Sequence, residues 1–569
     1  MAKKSYLSID IGSQHTRAWL FGCPEDQYRI AASSEVDTTL IGDDDVQRGV
    51  WNAIDRIQAA STHLLLDHQR KLIVKNSDPQ VGVEAVGLTT SAGRPIRTAL
   101  IGLTEPASLA SIRRLAGMFY CQEVLSICLT DGMDIGRQLQ SLMQADPDLV
   151  IMAGGVEEGA NLPLISASTA IRLFYKHIPG INKPQIIFSG NSVIADQLKL
   201  DLEAGDDLYV TDNIRPGPEL ENISAVFPAM LQAFHKIRCN QVKGLQELIR
   251  KTGARLLPSA YAINRVTNYL NQVSKNGKGV MAINIGADCS SLSAVKDGRL
   301  TSSVVFSRMD EQLVCETSAW SSVQVEHEIT SSYLQSKTIH TGMLPATLED
   351  LAIEQAWARV KIQNCLRITK QRFPGFDYEL QSGLKSAYEP IIISGSVFDK
   401  APTLGQAFLM AVDGIQPSGI STILLDRQQV LPALGSIAEF EPMIAVQVLD
   451  AGVLQNLGTV VSVQSTAREG ALAVKVEVAQ DEGGRELVDL RQGELKRFEL
   501  PLGSKVRLYL SPEYHADVGM GKPGLGGWVS LVSGELGVVV DLRGRPVQLP
   551  AKSDKCSSVI KSWLWELGG

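Results

Sequence analysis

Asp10, Gly12, Ser13 and Thr16 stand close together in the chain, and their types suit a phosphate and the cation that accompanies it. Glycine lets a backbone approach an anion closely, successive N–H groups form an anion-binding nest, and hydroxyls add donors. Asp10 supplies the hard oxygen that magnesium prefers, reached through water. The stretch Leu7-Ser-Ile-Asp-Ile-Gly-Ser-Gln-His-Thr16 returns as Met281-Ala-Ile-Asn-Ile-Gly-Ala-Asp-Cys-Ser290. Asn284, Gly286, Ala287 and Ser290 therefore occupy the matching places. Asp-x-Gly turns are also ordinary hairpin punctuation, but two copies in matching contexts favour a shared function over coincidence.

The elements that must position these residues follow from the hydrophobic pattern. In both copies an alternating strand enters a glycine turn and an apolar strand leaves it, at Ala18 to Phe21 and at Leu292 to Val295, which predicts two tight hairpins. Alternation puts His15 and Arg17 on the side opposite Thr16, where a solvated face is expected. Between the hairpins, Thr98 to Leu103, Glu123 to Leu129, Asp148 to Met152, Gln185 to Phe188 and Leu208 to Val210 read as strands separated by helical patterns. This is a parallel βαβ series. Its strands end in Ala153-Gly-Gly-Val-Glu-Glu-Gly159, Ser189-Gly-Asn-Ser192 and Thr211-Asp-Asn-Ile-Arg-Pro216, either ligand-binding turns or simple turns and helix caps.

Tyr388-Glu-Pro-Ile-Ile-Ile-Ser-Gly-Ser-Val397 reads as a buried strand ending in a small-residue turn at Ser394, Gly395 and Ser396. After Ala433 short strands dominate, with turns at Glu482-Gly-Gly484 and Arg543-Gly544, so an all-β sandwich or barrel is expected over roughly 445–550. A closing helix carries Trp563 and Trp565. Gly519-Met-Gly-Lys-Pro-Gly524 satisfies a dinucleotide string but precedes a strand and contains a proline, where that fingerprint needs a helix.

The two hairpins and the Ser394 turn resemble the actin-like ATPase superfamily, in which duplicated ribonuclease H-like halves clamp a nucleotide between facing phosphate hairpins. More closely, Ile9-Asp-Ile-Gly-Ser13, Thr89-Thr-Ser-Ala-Gly93, Val150-Ile-Met-Ala-Gly-Gly155, Phe188-Ser-Gly-Asn191, Thr211-Asp-Asn-Ile214 and Leu431-Pro-Ala-Leu-Gly435 are similar, in order, to the MutL-type accessory family of adenosylcobalamin-dependent glutamate mutase. That family is unrelated to the mismatch-repair protein of the same name. The resemblance implies ATP and magnesium as ligands, Asp10 on the metal side, and the Ser394 turn at the adenosine. It also implies a cobalamin-dependent mutase as partner and a role in assembling, protecting or reactivating it. A direct cobalamin ligand is not expected, because the nearest fragment to Asp-x-His-x-x-Gly, His177-Ile-Pro-Gly180, has Tyr175 in place of the aspartate.

Two positions depart from the family pattern. Asn284 replaces the usual aspartate of the second hairpin, and Ser396 stands where a glycine is favoured. An amide binds water or phosphate but supplies no negative charge and accepts no proton. If one such group contributes roughly 10²- to 10⁴-fold to rate, its loss raises the barrier by about 3–5 kcal/mol. The expectation is a nucleotide-binding accessory protein with weak ATPase activity or none. The alternatives are a degenerate actin-like scaffold that binds no nucleotide, and a small-molecule kinase, for which no catalytic carboxylate is evident.

The whole-chain composition agrees with a folded multidomain protein. The 569 residues are 44% hydrophobic and 20% charged, with divisions expected at 1–94, 95–265, 266–444 and 445–569. A net charge of -8 argues against nucleic acid as partner. No apolar run is long enough to cross a membrane, and the basic start leads into a strand, so a cytoplasmic protein is expected. The eight cysteines are widely spaced and read as reduced, mostly buried thiols.

Overall fold

The computed structural model describes residues 4–569 except 41–44, 77, 79, 160, 181–182, 275–276, 380–381, 386–387, 481–484, 514 and 551–552. The Glu482-Gly-Gly484 turn lies outside the described residues. The chain divides into two compact units, Met1–Ala262 with Pro432–Gln447, and Ile263–Leu431 with Val448–Gly569.

The first unit opens with β1 (Tyr6–Ile11), β2 (His15–Gly22), β3 (Arg29–Asp37) and β4 (Val86–Thr90). A second series follows, β5 (Ile96–Gly102), β6 (Cys121–Cys128), β7 (Leu149–Ala153), β8 (Gln185–Phe188) and β9 (Leu208–Val210). These five form a wholly parallel sheet in the order β6-β5-β7-β8-β9, as the alternation of strand and helix patterns requires. Its core gathers Ile101, Val150, Met152, Ile186, Phe188, Ile171 and Phe174. The chain then returns through β10 (Arg255–Pro258) to complete the first sheet, β10-β4-β1-β2-β3.

The second unit carries β11 (Gly279–Ile285), β12 (Cys289–Lys296) and β13 (Arg299–Phe306). After a small ribbon, β14 (Tyr378–Glu379) with β15 (Gly383–Leu384), come β16 (Tyr388–Ser394) and β17 (Gly419–Asp426). Their order is β13-β12-β11-β16-β17. In each unit the strand that enters the glycine turn is therefore central. Its hairpin partner and the following strand run antiparallel on one side, and two parallel strands lie on the other.

The tail supplies β18 (Gln455–Ser462), β19 (Leu472–Gln480), β20 (Arg485–Arg491), β21 (Leu495–Phe498), β22 (Lys505–Pro512), β23 (Gly527–Val532) and β24 (Val538–Asp541). Four of them form a separate antiparallel sheet, β20-β19-β22-β23, while β18, β24 and β21 continue the large sheet beyond β17. Burial explains the division. β18 and β24 are buried on both faces along most of their length, as interior strands are, whereas β22 alternates exposed and buried, as a half-solvated antiparallel strand does. The two sheets pack face to face around Val461, Val476, Leu508 and Val540. A buried chain of charges also links the tail to the helices of its unit. Arg359 and Arg543 both pair with Asp413 at 2.8 Å, and Arg543 and Arg545 hold Asp541. Burial alone would raise the Asp541 pKa, but the two guanidiniums hold it well below the usual carboxylate range.

Two expectations are corrected. Arg17 is 8% exposed, not solvated, because β3 covers it and Glu35 accepts its Nε–H at 2.7 Å. Of the cysteines only Cys121, Cys365 and Cys556 are buried; Cys315 is exposed, and all eight are free. Among the described residues no helix is long and apolar enough to cross a membrane.

Candidate functional site

The first hairpin closes when the Gly12 N–H donates to the His15 carbonyl at 3.0 Å. A Cβ on Gly12 would lie 2.9 Å from that oxygen, so the turn excludes a side chain by lack of space. Thr38 braces it from beyond β3. Its N–H donates to Gln14, and its hydroxyl donates to the Gly12 carbonyl while standing 2.9 Å from the Thr16 hydroxyl. Thr16 is fully buried and supports the turn from beneath, while Ser13 remains half-exposed at the tip.

Asp10 sits at the base of the turn, 7% exposed. Its Oδ1 accepts the Thr89 and Ser259 hydroxyls, each at 2.6 Å. Parallel pairing of β1 with β4 sets Thr89 opposite Asp10, and Ser259 follows directly after β10. Both bonds fall on one carboxylate oxygen. The group is thereby oriented, and as a hard anionic oxygen donor it suits magnesium or a magnesium-bound water.

The second hairpin repeats the backbone. Gly286 N–H donates to Cys289 O at 3.0 Å, and a Cβ on Gly286 would lie 2.7 Å from that oxygen. The side chains differ. Asn284 is half-buried where Asp10 is buried, Ala287 replaces Ser13, and Asp288 points out at the exposed tip. Ser290, the counterpart of Thr16, is 3% exposed.

Lys361, on the helix Leu348–Arg372, fills a place the hairpin pattern does not announce. Its Nζ donates to the carbonyls of Gly286 and Ala287, each at 3.3 Å, and lies 3.7 Å from the centre of the Trp357 ring. Burial pushes its pKa down to about 8, against the opposing pull of Cys289 and Asp288.

The small-residue turn belongs to the same neighbourhood, since β11 pairs with β16 and sets Asn284 opposite Ser394. Gly395 has φ +123°, and a Cβ there would meet the Ile285 carbonyl at 2.3 Å. Only glycine allows this approach. Ser394 is buried and donates to Asp426 at 3.1 Å; Asp426 also accepts the N–H groups of Val430 and Leu431. Ser396 opens a short helix, and its hydroxyl accepts from Gln429.

The fold thus gathers Asp10, Gly12, Ser13 and Thr16 on one hairpin. Asn284, Gly286, Ala287 and Ser290 gather on the other, beside Ser394, Gly395 and Ser396. Sequence reasoning missed Thr38, Ser259, Lys361 and Asp426. Of these only Lys361 had a visible companion, Trp357 one turn earlier on the same helix face.

A family model described as MutL protein matches residues 6–453. The chain belongs to that family. It is the accessory type associated with glutamate mutase, and the match runs through both hairpins and the Ser394 turn of this MutL-family chain. No curated protein matches its sequence. Among solved structures it is similar to an activator of 2-hydroxyisocaproyl-CoA dehydratase from Clostridium difficile with bound ADPNP (9% identity, 78% of this chain and 97% of that one, TM-score 0.27). Component A of (R)-2-hydroxyglutaryl-CoA dehydratase from Acidaminococcus fermentans is another (10%, 76% and 96%, 0.27). A third is a diol dehydratase-reactivating factor in nucleotide-free form (10%, 79% and 100%, 0.30).

Proposed function

We propose that this protein is an actin-like, nucleotide-binding accessory protein of a cobalamin-dependent mutase, with weak ATPase activity or none. The observation that carries the reading is the repeated turn: in both hairpins a glycine N–H closes on the carbonyl three residues later, and no Cβ fits. Such a turn presents backbone N–H groups to an anion without a side chain in the way. The same strand order around each hairpin supports duplicated halves, and membership of the accessory family supports the mutase as partner.

In this reading Asp10 holds magnesium through water, Ser13 donates to phosphate, and Thr16 holds the turn. Lys361 adds positive charge under the second turn, and the Ser394–Ser396 turn meets the nucleoside. The magnesium supplies charge neutralisation for the phosphates. Asn284 supplies no anionic group, so hydrolysis is slow relative to binding. Nucleotide-dependent assistance of a partner then needs one state to bind nucleotide better than the other, because a ligand shifts an equilibrium only by its preference.

Calorimetric titration with ATP and magnesium tests the reading. Saturable heat from the wild-type chain that is lost in Asp10→Asn supports it. Asp10→Asn removes the charge but keeps an acceptor for Thr89 and Ser259. No heat from either protein overturns it in favour of a scaffold that binds no nucleotide. An accompanying pull-down with a cobalamin-dependent mutase, with and without ATP, tests the partner.

A further inference from the structure

We propose that the second unit holds a borderline-soft divalent cation, zinc by preference, between the helices Glu311–Ala319 and His327–Ile339. The ligands are Glu311, Cys315 and His327. Glu311 and Cys315 are four residues apart on one helix and so share a face. His327 opens the next helix and brings its Nε2 to 2.8 Å from Glu311 Oε1. One ligand atom from each of the three residues lies within 4.8 Å of the others.

This donor set has a definite chemical preference. Thiolate, imidazole and carboxylate together suit zinc better than magnesium or calcium, which want oxygen alone. Zinc bonds of about 2.3 Å to sulfur and about 2.0–2.2 Å to nitrogen and oxygen place tetrahedral ligand atoms about 3.3–3.6 Å apart. Binding therefore parts Nε2 from Oε1, now 2.8 Å apart, and draws the thiol in, a contraction of about 1 Å at most. All three side chains are exposed or half-exposed, so rotamer changes supply that contraction without disturbing the core. The ion takes the place of the proton between Nε2 and the carboxylate, and the thiol releases its proton on binding. Three protein ligands leave a fourth position for water, and the ion clips the two helices together.

The cysteine spacing gives no hint of this, because the usual paired-cysteine signature is missing and the ligands are joined by helix geometry. The site lies away from the hairpin residues in sequence and does not depend on nucleotide binding.

Cobalt(II) is the probe, added to the full chain after chelator treatment. One equivalent should give the visible d–d bands of a tetrahedral ion and a sulfur-to-cobalt charge-transfer band in the near ultraviolet. Cys315→Ser should lose the charge-transfer band, and Cys128→Ser should keep it. His327→Gln should weaken cobalt by at least the roughly tenfold that losing even an outer partner of a metal ligand costs. Zinc should raise the melting temperature of the wild-type chain but not of Cys315→Ser, whose circular dichroism should match wild type. A six-coordinate aquo spectrum throughout, or a charge-transfer band that survives in Cys315→Ser, overturns the proposal.

Discussion

The two hairpins share a backbone and differ in chemistry. Each is closed by the same glycine bond at 3.0 Å and each excludes a Cβ. Yet the first rests on a buried carboxylate tied to two hydroxyls, and the second on an amide with a lysine beneath its tip carbonyls. The geometry of a turn and its charge are thus separable. Strand pairing and glycine fix the first, while single side chains fix the second: Asp10 beside the first turn, and Lys361, far along the chain, beneath the other. One backbone turn can thus carry an acid in one hairpin and stand over a lysine in the other.

The sharpest break of this comparison is to remove each base residue in turn. Asp10→Ala strands the buried Ser259 hydroxyl, at about 1–3 kcal/mol, and leaves the Thr89 hydroxyl only the Ile9 carbonyl at 3.5 Å, a further but smaller loss. Asn284→Ala, at a half-buried position whose side chain makes no hydrogen bond to a described residue, should stay within about 0.5 kcal/mol. Urea denaturation of both variants checks this. Equal losses would mean that the two hairpins are supported alike after all.

Filling the turns probes what they share. Gly12→Ala and Gly286→Ala each force a Cβ onto a backbone carbonyl, at 2.9 and 2.7 Å, and each should cost about 1–3 kcal/mol, with Gly286→Ala the worse. Thermal melts that show neither variant destabilised would remove the steric argument for glycine at both tips.

Lys361 sharpens the difference through pH. Its pKa is about 8 in the folded chain and near 10.4 in an unfolded one. Between those values the unfolded chain binds more protons, so stability rises with pH across that window relative to Lys361→Met. Partial exposure reduces the effect to about 1–2 kcal/mol. Urea midpoints at pH 7 and pH 10 for both proteins provide the measurement. The same deprotonation predicts that nucleotide affinity falls above pH 8 in the wild type and stays flat in Lys361→Met.

What the sequence disclosed was the local part. Alternation and apolar runs located β8 and β9 to the residue and both hairpins within a few, because each is a property of neighbouring positions. The glycines were legible for the same reason. Lys361 was not, since it reaches the Gly286 carbonyl from a helix whose pattern is that of a buried core element. Thr38 and Ser259 were hidden because their bonds to the first hairpin depend on strand register, as does the joining of β18 to β17. His15 and Arg17 were placed on the correct face, but alternation could not show that β3 would bring Glu35 and Asp37 over them.

The smallest effect separates Thr16 from Ser290, which hold the same place in the two hairpins, opposite Ile11 and Ile285. Both are buried. Thr38 already donates its hydroxyl proton to Gly12 O, so at the 2.9 Å contact Thr16 is the donor. Thr16→Val keeps the shape, removes that donor and leaves Thr38 one partner short, which should cost about 0.5–1.5 kcal/mol. Ser290 has no such bond to a described residue, and Ser290→Ala should cost less than about 0.5 kcal/mol. If the two losses measured by urea denaturation are equal, hydroxyl bracing is not what distinguishes the first turn. The contrast would then rest on Asp10 and Lys361 alone.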